Sequence, residues 1–242
     1  MTARPAPDWL TRWEYAHRGL HQEGVPENSR AATEAAIAAG MGIECDIQMS
    51  RDNVPLVFHD WVLERLTKAY GKVALRPADE LCQIPLLETD QTIWRLADLL
   101  ALVAGRVPIL VEIKAEPHLA VAEACIAISK VLAGYPGPLA VMSFDLRVGE
   151  WFAKHAPAIT CGLVITDTLD HGYRHAWRAP KALERAAPDF LACDVRDMPN
   201  ALTSLWRESG RPLLTWTVRS PETRARGLAH ADALIAEGAG LG

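Results

Sequence analysis

Four short apolar runs in this sequence end in charge or imidazole: Ala16-His17-Arg18-Gly19, Glu44-Cys45-Asp46, Phe58-His59-Asp60 and Glu112-Ile113-Lys114. Buried strands are normally apolar, so these endings call for a reason. Strand side chains alternate between faces. Glu44 and Asp46 therefore share one face with Cys45 on the other, and Glu112 and Lys114 share a face in the same way. Like charges on one buried face repel unless a cation lies between them. Three carboxylates, Glu44, Asp46 and Glu112, with no sulfur donor suit a hard divalent ion, Mg²⁺ or Ca²⁺. Two strand-end histidines, His17 and His59, converging on such a cluster suit acid–base work. With Arg18 and Lys114 counted, a metal-loaded site sits near one net positive charge, matching the single negative charge of a phosphodiester. The same cations would stabilise the extra charge of its transition state.

The elements that must position these residues follow from periodicity. Nine short apolar runs alternate with Ala/Leu-rich segments: Tyr15–His17, Ile43–Ile47, Val54–His59, Pro108–Ile113, Leu139–Phe144, Cys161–Ile165, Phe190–Cys193, Pro212–Val218 and Ala233–Ala236. Several are near-continuous Val/Ile/Leu, as in parallel strands buried on both faces. Helices are expected over Ser29–Ala39, Thr92–Val103, His118–Leu132, Leu146–His155, Ala179–Ala187, Asn200–Glu208 and Pro221–Ala229. Asn28-Ser29 and Ser220-Pro221 read as helix starts, and Gly40, Gly105 and Gly134 as stops. No helix separates Glu44 from His59, and Arg51-Asp52-Asn53 signals a turn, so this stretch reads as an antiparallel hairpin. Setting aside its return strand leaves eight strands in βα alternation. That points to an α/β fold, a TIM (β/α)8 barrel, rather than an open doubly wound sheet. Polar residues at strand ends then meet at the C-terminal mouth. A two-residue Asp52-Asn53 turn would pair residues whose numbers sum to 105, which sets His59 opposite Asp46.

The whole chain, 1–242, is expected to be one barrel domain with a hairpin and small cap insertion over 48–90, after strand 2. Its end carries no eighth helix, which leaves a flank uncovered and allows a homo-oligomer. Asp8-Trp9-Leu10-x-x-Trp13 is expected to cover the barrel's bottom. The 242 residues have a net charge of −5 and no long like-charge run, which argues against a nucleic-acid partner. No apolar run has the ~20 residues of a membrane span. The opening Met1-Thr-Ala-Arg-Pro-Ala-Pro-Asp lacks the apolar stretch of a secretory leader. Five cysteines, an odd count with no C-x-x-C, read as reduced thiols, and a cytoplasmic location is expected. Cys45 should point away from the mouth. His171 and His175, spaced i, i+4 after the fifth strand, read as a solvated or substrate-selecting loop ahead of a zinc pair.

At these residues the sequence resembles the glycerophosphodiester phosphodiesterase family. The matching stretches are His17-Arg18-Gly19, Pro26-Glu27-Asn28-Ser29, Glu44-x-Asp46, Pro55-x-x-x-His59-Asp60, Leu63-x-Arg65-x-Thr67, Glu112-Ile113-Lys114, Ser143-Phe144 and Trp216-Thr217-Val218. The resemblance implies metal-dependent hydrolysis of glycerophosphodiesters to sn-glycerol 3-phosphate and an alcohol. His17 and His59 would be general acid and base, and Glu44, Asp46 and Glu112 the metal ligands. Arg18 and Lys114 would contact phosphate, and Phe144 and Trp216 would wall the glycerol end. It also implies that the substrate's own glycerol hydroxyl attacks phosphorus and that water then opens the cyclic phosphate. The family's closing Gly-Val-Asp-Gly-Ile-Ile-Thr-Asp-x-Pro is altered, with Ala236-Glu237 in place of Thr-Asp. Two other readings stand beside this one: a phospholipase D-like barrel acting on lysophospholipids, and a barrel that binds phosphate esters without catalysis.

Overall fold

Eight parallel strands close on themselves in a computed structural model that describes residues 6–115, 120–167, 178 and 181–242. The barrel strands are β1 (Tyr15–Ala16), β2 (Gly42–Met49), β5 (Ile109–Ile113), β6 (Leu139–Ser143), β7 (Thr160–Ile165), β8 (Phe190–Asp194), β9 (Leu213–Val218) and β10 (Ala233–Ala236). β1 pairs in parallel with both β2 and β10, which seals the ring. The crossovers carry α1 (Arg30–Ala38), α3 (Leu96–Val103), α4 (Val121–Leu132), α5 (Leu146–His155), α6 (Ala182–Ala186), α7 (Ala201–Glu208) and α8 (Pro221–His230). After β10 the chain makes one 3-10 turn, Gly238–Gly240. The strand–helix alternation read from the sequence is thus the architecture. His171 and His175 lie outside the described residues.

Local chemistry sets the helix ends. Ser29 accepts a hydrogen bond from the Ala32 amide at 3.0 Å and starts α1. Ser220 and Asn200 form capping boxes with Thr223 and Thr203, and Pro221 occupies the first position of α8. Thr92–Val103, expected to be one helix, begins instead with β4 (Trp94–Arg95), which pairs antiparallel with β3 (Pro55–Val57). The β-branched Thr92-Ile93 and the aromatic Trp94 favour an extended start there, and helix begins only at Leu96.

Period-two alternation builds two cores. Outward-facing Ile43, Cys45, Ile47, Ile109, Val111 and Ile113 pack under the helices. Inward-facing Tyr15, Leu110, Phe190, Leu214 and Ala233 fill the barrel's lower half. Leu10, fully buried, joins that lower layer, so the segment around Asp8–Thr11 closes the bottom as expected. Tyr15 and Phe190 are wide, and the strands facing them carry glycine. A Cβ on Gly42 would lie 2.6 Å from the Tyr15 ring, and one on Gly162 would lie 2.3 Å from the Phe190 ring. The upper layer is polar, and it forms the site.

The hairpin register differs from the sequence expectation. Ile47 pairs with Val57 and Met49 with Pro55, so paired numbers sum to 104. The loop has three residues rather than two, with Asn53 in the left-handed region at φ 59°. Ser50 N–H donates to Val54 O across it at 3.1 Å. This is the three-residue hairpin solution, a turn followed by one left-handed residue. Phe58 therefore stands opposite Asp46, its N–H donating to the Asp46 carbonyl at 2.9 Å. β2 extends above the barrel, and its hairpin leads into a cap that includes α2 (Ala78–Leu81). Leu56, Phe58, Leu63, Val73, Leu81 and Ile93 give this cap its own buried cluster.

Candidate active site

The inward faces of β2 and β5 bring three carboxylates together. Asp46 is in register with Glu112, and Glu44 lies two residues below on the same face. One oxygen from each of Glu44, Asp46 and Glu112 lies within 4.8 Å of the others, and all three side chains are buried. Lys114 Nζ contacts Asp46 Oδ1 at 2.9 Å and also Glu112 Oε1. Arg18 Nε lies 3.3 Å from Asp46 Oδ2. Asn28, left-handed at φ 58°, donates from Nδ2 to Asp46 Oδ2 at 2.8 Å and accepts from the Asp46 amide at 3.2 Å. Asp46 is therefore fully clamped.

Glu44 is not. Its Oε2 accepts from the Arg18 amide at 2.9 Å, while its buried Oε1 has no partner. The electrostatics divide accordingly. Burial would raise Asp46, but Lys114, His59 and Arg18 overcome that and hold it well below the usual carboxylate range. Burial, reinforced by Asp46 and Glu112, pushes Glu44 well above its ordinary value. A buried carboxylate oxygen with no donor costs free energy unless something positive meets it. The all-oxygen donor set and the orphaned Glu44 Oε1 fit a hard divalent cation.

Two histidines flank this cluster, and each is held by a carboxylate at Nδ1. His17 Nδ1 contacts Glu237 Oε2, while its Nε2 lies 4.0 Å from Glu44 Oε2. His59 Nδ1 is 2.6 Å from Asp60 Oδ1. An arginine braces each carboxylate: Arg219 on Glu237 Oε1, and Arg65 on Asp60 at 3.0 Å. Arg65 also binds Glu27 at 2.7 and 2.9 Å, and Glu27 binds Arg18 at 2.7 Å. Burial and, more weakly, Arg18 lower His17's pKa against the opposing pull of Glu237. Burial opposes ionisation of Glu237, but His17, His21 and Arg219 outweigh it and hold the carboxyl well below its ordinary range.

The site opens onto one cavity of about 530 Å³ at the C-terminal mouth. His17, His59, Asp46, Glu112, Arg18, Lys114, Phe144 and Trp216 line it; buried Glu44 joins through the carboxylate cluster rather than the wall. Although the register places Phe58 opposite Asp46, His59 reaches the same cavity one residue further on. Phe144 and Trp216 meet edge to face at 5.4 Å, and Trp216 Nε1 donates to Ala192 O at 3.0 Å. Cys45 points the other way, into the helix–sheet core.

Sequence reasoning missed Glu237, His21 and Arg219. The signal was present. Glu237 is a carboxylate at the C-terminal end of the last strand, the same criterion that singled out Asp46, and the Ala236-Glu237 replacement keeps an acid at the second position. Asp60, Arg65, Glu27 and Asn28 were visible in matching stretches, but their braces depend on contacts across the chain.

The sequence profile of the glycerophosphoryl diester phosphodiesterase family matches residues 17–237. A glycerophosphodiester phosphodiesterase from Caldanaerobacter subterraneus subsp. tengcongensis is 42% identical over 59 residues, 24% of this chain and 24% of that one. The aligned stretch thus spans about a quarter of that curated relative. Among solved structures, a phosphodiesterase from Oleispira antarctica in complex with the product sn-glycerol-3-phosphate superposes with a TM-score of 0.79 at 23% identity, covering 93% of this chain and 92% of that one. The glycerophosphodiester phosphodiesterase of Thermotoga maritima superposes with a TM-score of 0.72 at 24% identity, covering 92% of each chain. With the profile spanning nearly all of the barrel, this chain belongs to the glycerophosphoryl diester phosphodiesterase family.

Proposed function

We propose that the protein hydrolyses glycerophosphodiesters to sn-glycerol 3-phosphate and an alcohol, with His17 and His59 as acid and base. The observation that carries this reading is the pair of imidazoles, each bonded at Nδ1 to an acid, around one carboxylate cluster. Glu44, Asp46 and Glu112 would hold a divalent cation, Mg²⁺ or Ca²⁺, which when bound supplies Lewis-acid stabilisation of phosphoryl oxygens. Arg18 and Lys114 sit beside the cluster and place positive charge where a phosphodiester gains negative charge.

Proton transfer is the work of the histidines. One takes the proton from the attacking glycerol hydroxyl as the new P–O bond forms. The other gives a proton to the alcohol oxygen as the old P–O bond breaks. In the second step the roles exchange: the imidazole that gave its proton takes one from water, and the other returns its proton to the glycerol oxygen. Each ring must therefore present Nε2 both with and without its proton. Bonds from Nδ1–H to Glu237 and Asp60 fix that tautomer and stabilise the imidazolium when it forms. Phe144 and Trp216 offer an apolar wall for the glycerol carbons. The relative solved with sn-glycerol-3-phosphate supports this choice of product.

The test is turnover of a panel of glycerophosphocholine, glycerophosphoethanolamine, glycerophosphoinositol and lysophosphatidylcholine, with sn-glycerol 3-phosphate detected enzymatically. Activity is expected on the glycerophosphodiesters, abolished by EDTA and restored by Mg²⁺ or Ca²⁺. Turnover of the lysolipid alone, or none with either ion, overturns the reading.

A further inference from the structure

His17 faces two clusters of different chemistry. Its Nε2 side looks toward the all-oxygen cluster. Its Nδ1 side shares Glu237 Oε2 with a second imidazole, since His21 Nε2 lies 3.2 Å from that same oxygen. One ligand atom from each of His17, His21 and Glu237 lies within 4.8 Å of the others. The loop after β1 creates this meeting. Gly19 turns at φ 76°, and His21 N–H donates to Gly19 O at 2.9 Å, folding the chain back toward the end of β10. Arg219 holds the other carboxylate oxygen and so leaves Oε2 to the two rings.

Two imidazoles and one carboxylate are a three-ligand set suited to zinc, with water in the fourth place. Zn–N and Zn–O bonds near 2.0–2.2 Å put two ligand atoms of a tetrahedral site about 3.3 Å apart. The His21–Glu237 separation already matches, and the shorter His17–Glu237 contact must open. Nitrogen donors favour Zn²⁺ and its first-row neighbours over Mg²⁺ and Ca²⁺, so the two clusters differ in the ion they select. His21 has a quarter of its side chain exposed and gives the ion a route from solvent.

We propose that His17, His21 and Glu237 form a second cation site, for Zn²⁺ or a similar borderline metal, whose occupation switches the enzyme off. The metal takes the place of the proton between His17 Nδ1 and Glu237, and the ring's one proton moves through solvent from Nδ1 to Nε2. The metal-bound ring then carries that proton on Nε2 and can no longer accept one there. The site itself stands on geometry; the switch rests on the acid–base reading of His17.

The experiment is a Zn²⁺ titration followed by calorimetry, and a Co²⁺ titration followed by visible absorption, with Mg²⁺ saturating throughout to fill the carboxylate cluster. Phosphodiesterase rates are measured in parallel, each variant against its own zinc-free rate. One Zn²⁺ per chain is expected beyond the Mg²⁺ background, with activity lost as it binds. His21→Ala and His21→Gln should each weaken binding and inhibition by at least roughly tenfold, since even loss of an outer-shell partner costs about that much. Glu112→Gln should keep the zinc. The proposal is overturned if no Zn²⁺ binds over Mg²⁺, or if both His21 variants bind it as wild type does. It is equally overturned if Glu112→Gln abolishes binding, or if bound Zn²⁺ leaves the rate unchanged. Should the wild type show no phosphodiesterase activity at all, the functional reading fails, while the titration still decides whether the site exists.

Discussion

Glu237 and His17 are 220 residues apart in sequence, yet the carboxylate of one is hydrogen-bonded to Nδ1 of the other. Barrel closure makes this contact. β1 pairs with β10, the His17 N–H donates to Ala236 O at 2.9 Å, and the two strand ends thereby become neighbours. The first strand supplies the imidazole and the last supplies the acid that orients it.

Glu237 should accordingly act on the rate more than on binding. Glu237→Ala is expected to lower kcat by roughly 10–100-fold, a fraction of the ~10²–10⁴-fold that acid–base catalysis supplies. KM should stay within about threefold, because Glu237 faces His17 rather than the cavity wall. Glu237→Asp should recover part of the loss, and Glu237→Gln should shift the pH–rate profile, since its amide can accept the bond but cannot balance an imidazolium charge. Steady-state kinetics across pH decides; an unchanged kcat in Glu237→Ala removes Glu237 from the mechanism.

The two histidines should be comparable in cost. His17→Ala and His59→Ala are each expected to lose roughly 10²–10⁴-fold in kcat while retaining the barrel. The double variant should lose far less than the product of the two, because residues that act as a unit are not additive. Circular dichroism checks the fold beside the rates. Full activity in both single variants would end the two-histidine reading.

Glu44 makes a prediction about pH. Its folded pKa stands above the ordinary 4.5 because of burial, with Asp46 and Glu112 adding to the effect. A raised folded pKa means that its contribution to stability is complete below 4.5 and is lost as pH rises through the folded value. Asp46 shifts the other way and stays ionised. The metal-free protein should therefore lose stability from this site as pH rises, and added Mg²⁺ or Ca²⁺ should raise Tm more at pH 8 than at pH 5. Glu44→Gln should flatten both trends. Thermal melts with EDTA and with each ion give the comparison; a metal-induced rise in Tm that is the same at both pH values would count against the assignment.

Much of this site could be read from the sequence because strand alternation is a local rule. Glu44, Asp46, Glu112 and Lys114 needed only a period of two and a barrel mouth. The His59 placement needed a turn length, which Asn53 decided by taking φ 59° and adding a third loop residue. The wrong register still left His59 at the cavity, since one residue beyond a paired strand is free to turn inward. Glu237 met the same strand-end rule, but its bond to His17, and the places of His21 and Arg219 beside it, are contacts between the first and last strands, and no local pattern encodes a separation of 220 residues. The cap resisted reading for a different reason. Its buried Leu63, Val73, Leu81 and Ile93 come from short turns and a four-residue helix, which carry no period to detect.

Asp60 and Arg65 bear on acid stability. Burial would raise Asp60, but His59 and Arg65 hold it below its ordinary 3.8. A depressed folded pKa contributes stability above 3.8 that is lost as pH falls through the folded value. Arg65→Met removes the bidentate partner and should move the acid-unfolding midpoint to higher pH. It should also lower Tm slightly at pH 7, where the contribution is complete but modest because Arg65 is nearly half exposed. The same variant should also lower kcat modestly by loosening Asp60 from His59. Acid titration followed by far-UV circular dichroism reads the first effect, and an unmoved midpoint would sink it.

Phe144 and Trp216 should govern affinity rather than the chemical step. Their rings meet edge to face at 5.4 Å in the cavity wall and carry no group that could take or give a proton there. Truncating Phe144 to Ala removes apolar contact worth about 1–2 kcal/mol, part of the ~1.5–3 kcal/mol of a fully buried side chain. KM should rise by roughly 5–30-fold, since each 1.4 kcal/mol is about tenfold. Trp216→Phe keeps an aromatic face but loses the bond from Nε1 to Ala192 O, so a smaller rise is expected there. If the wall binds glycerol, both variants weaken every glycerophosphodiester alike, whatever its alcohol. If instead KM rises for one alcohol only, the wall binds the leaving group, and the glycerol end must lie against the opposite side of the cavity.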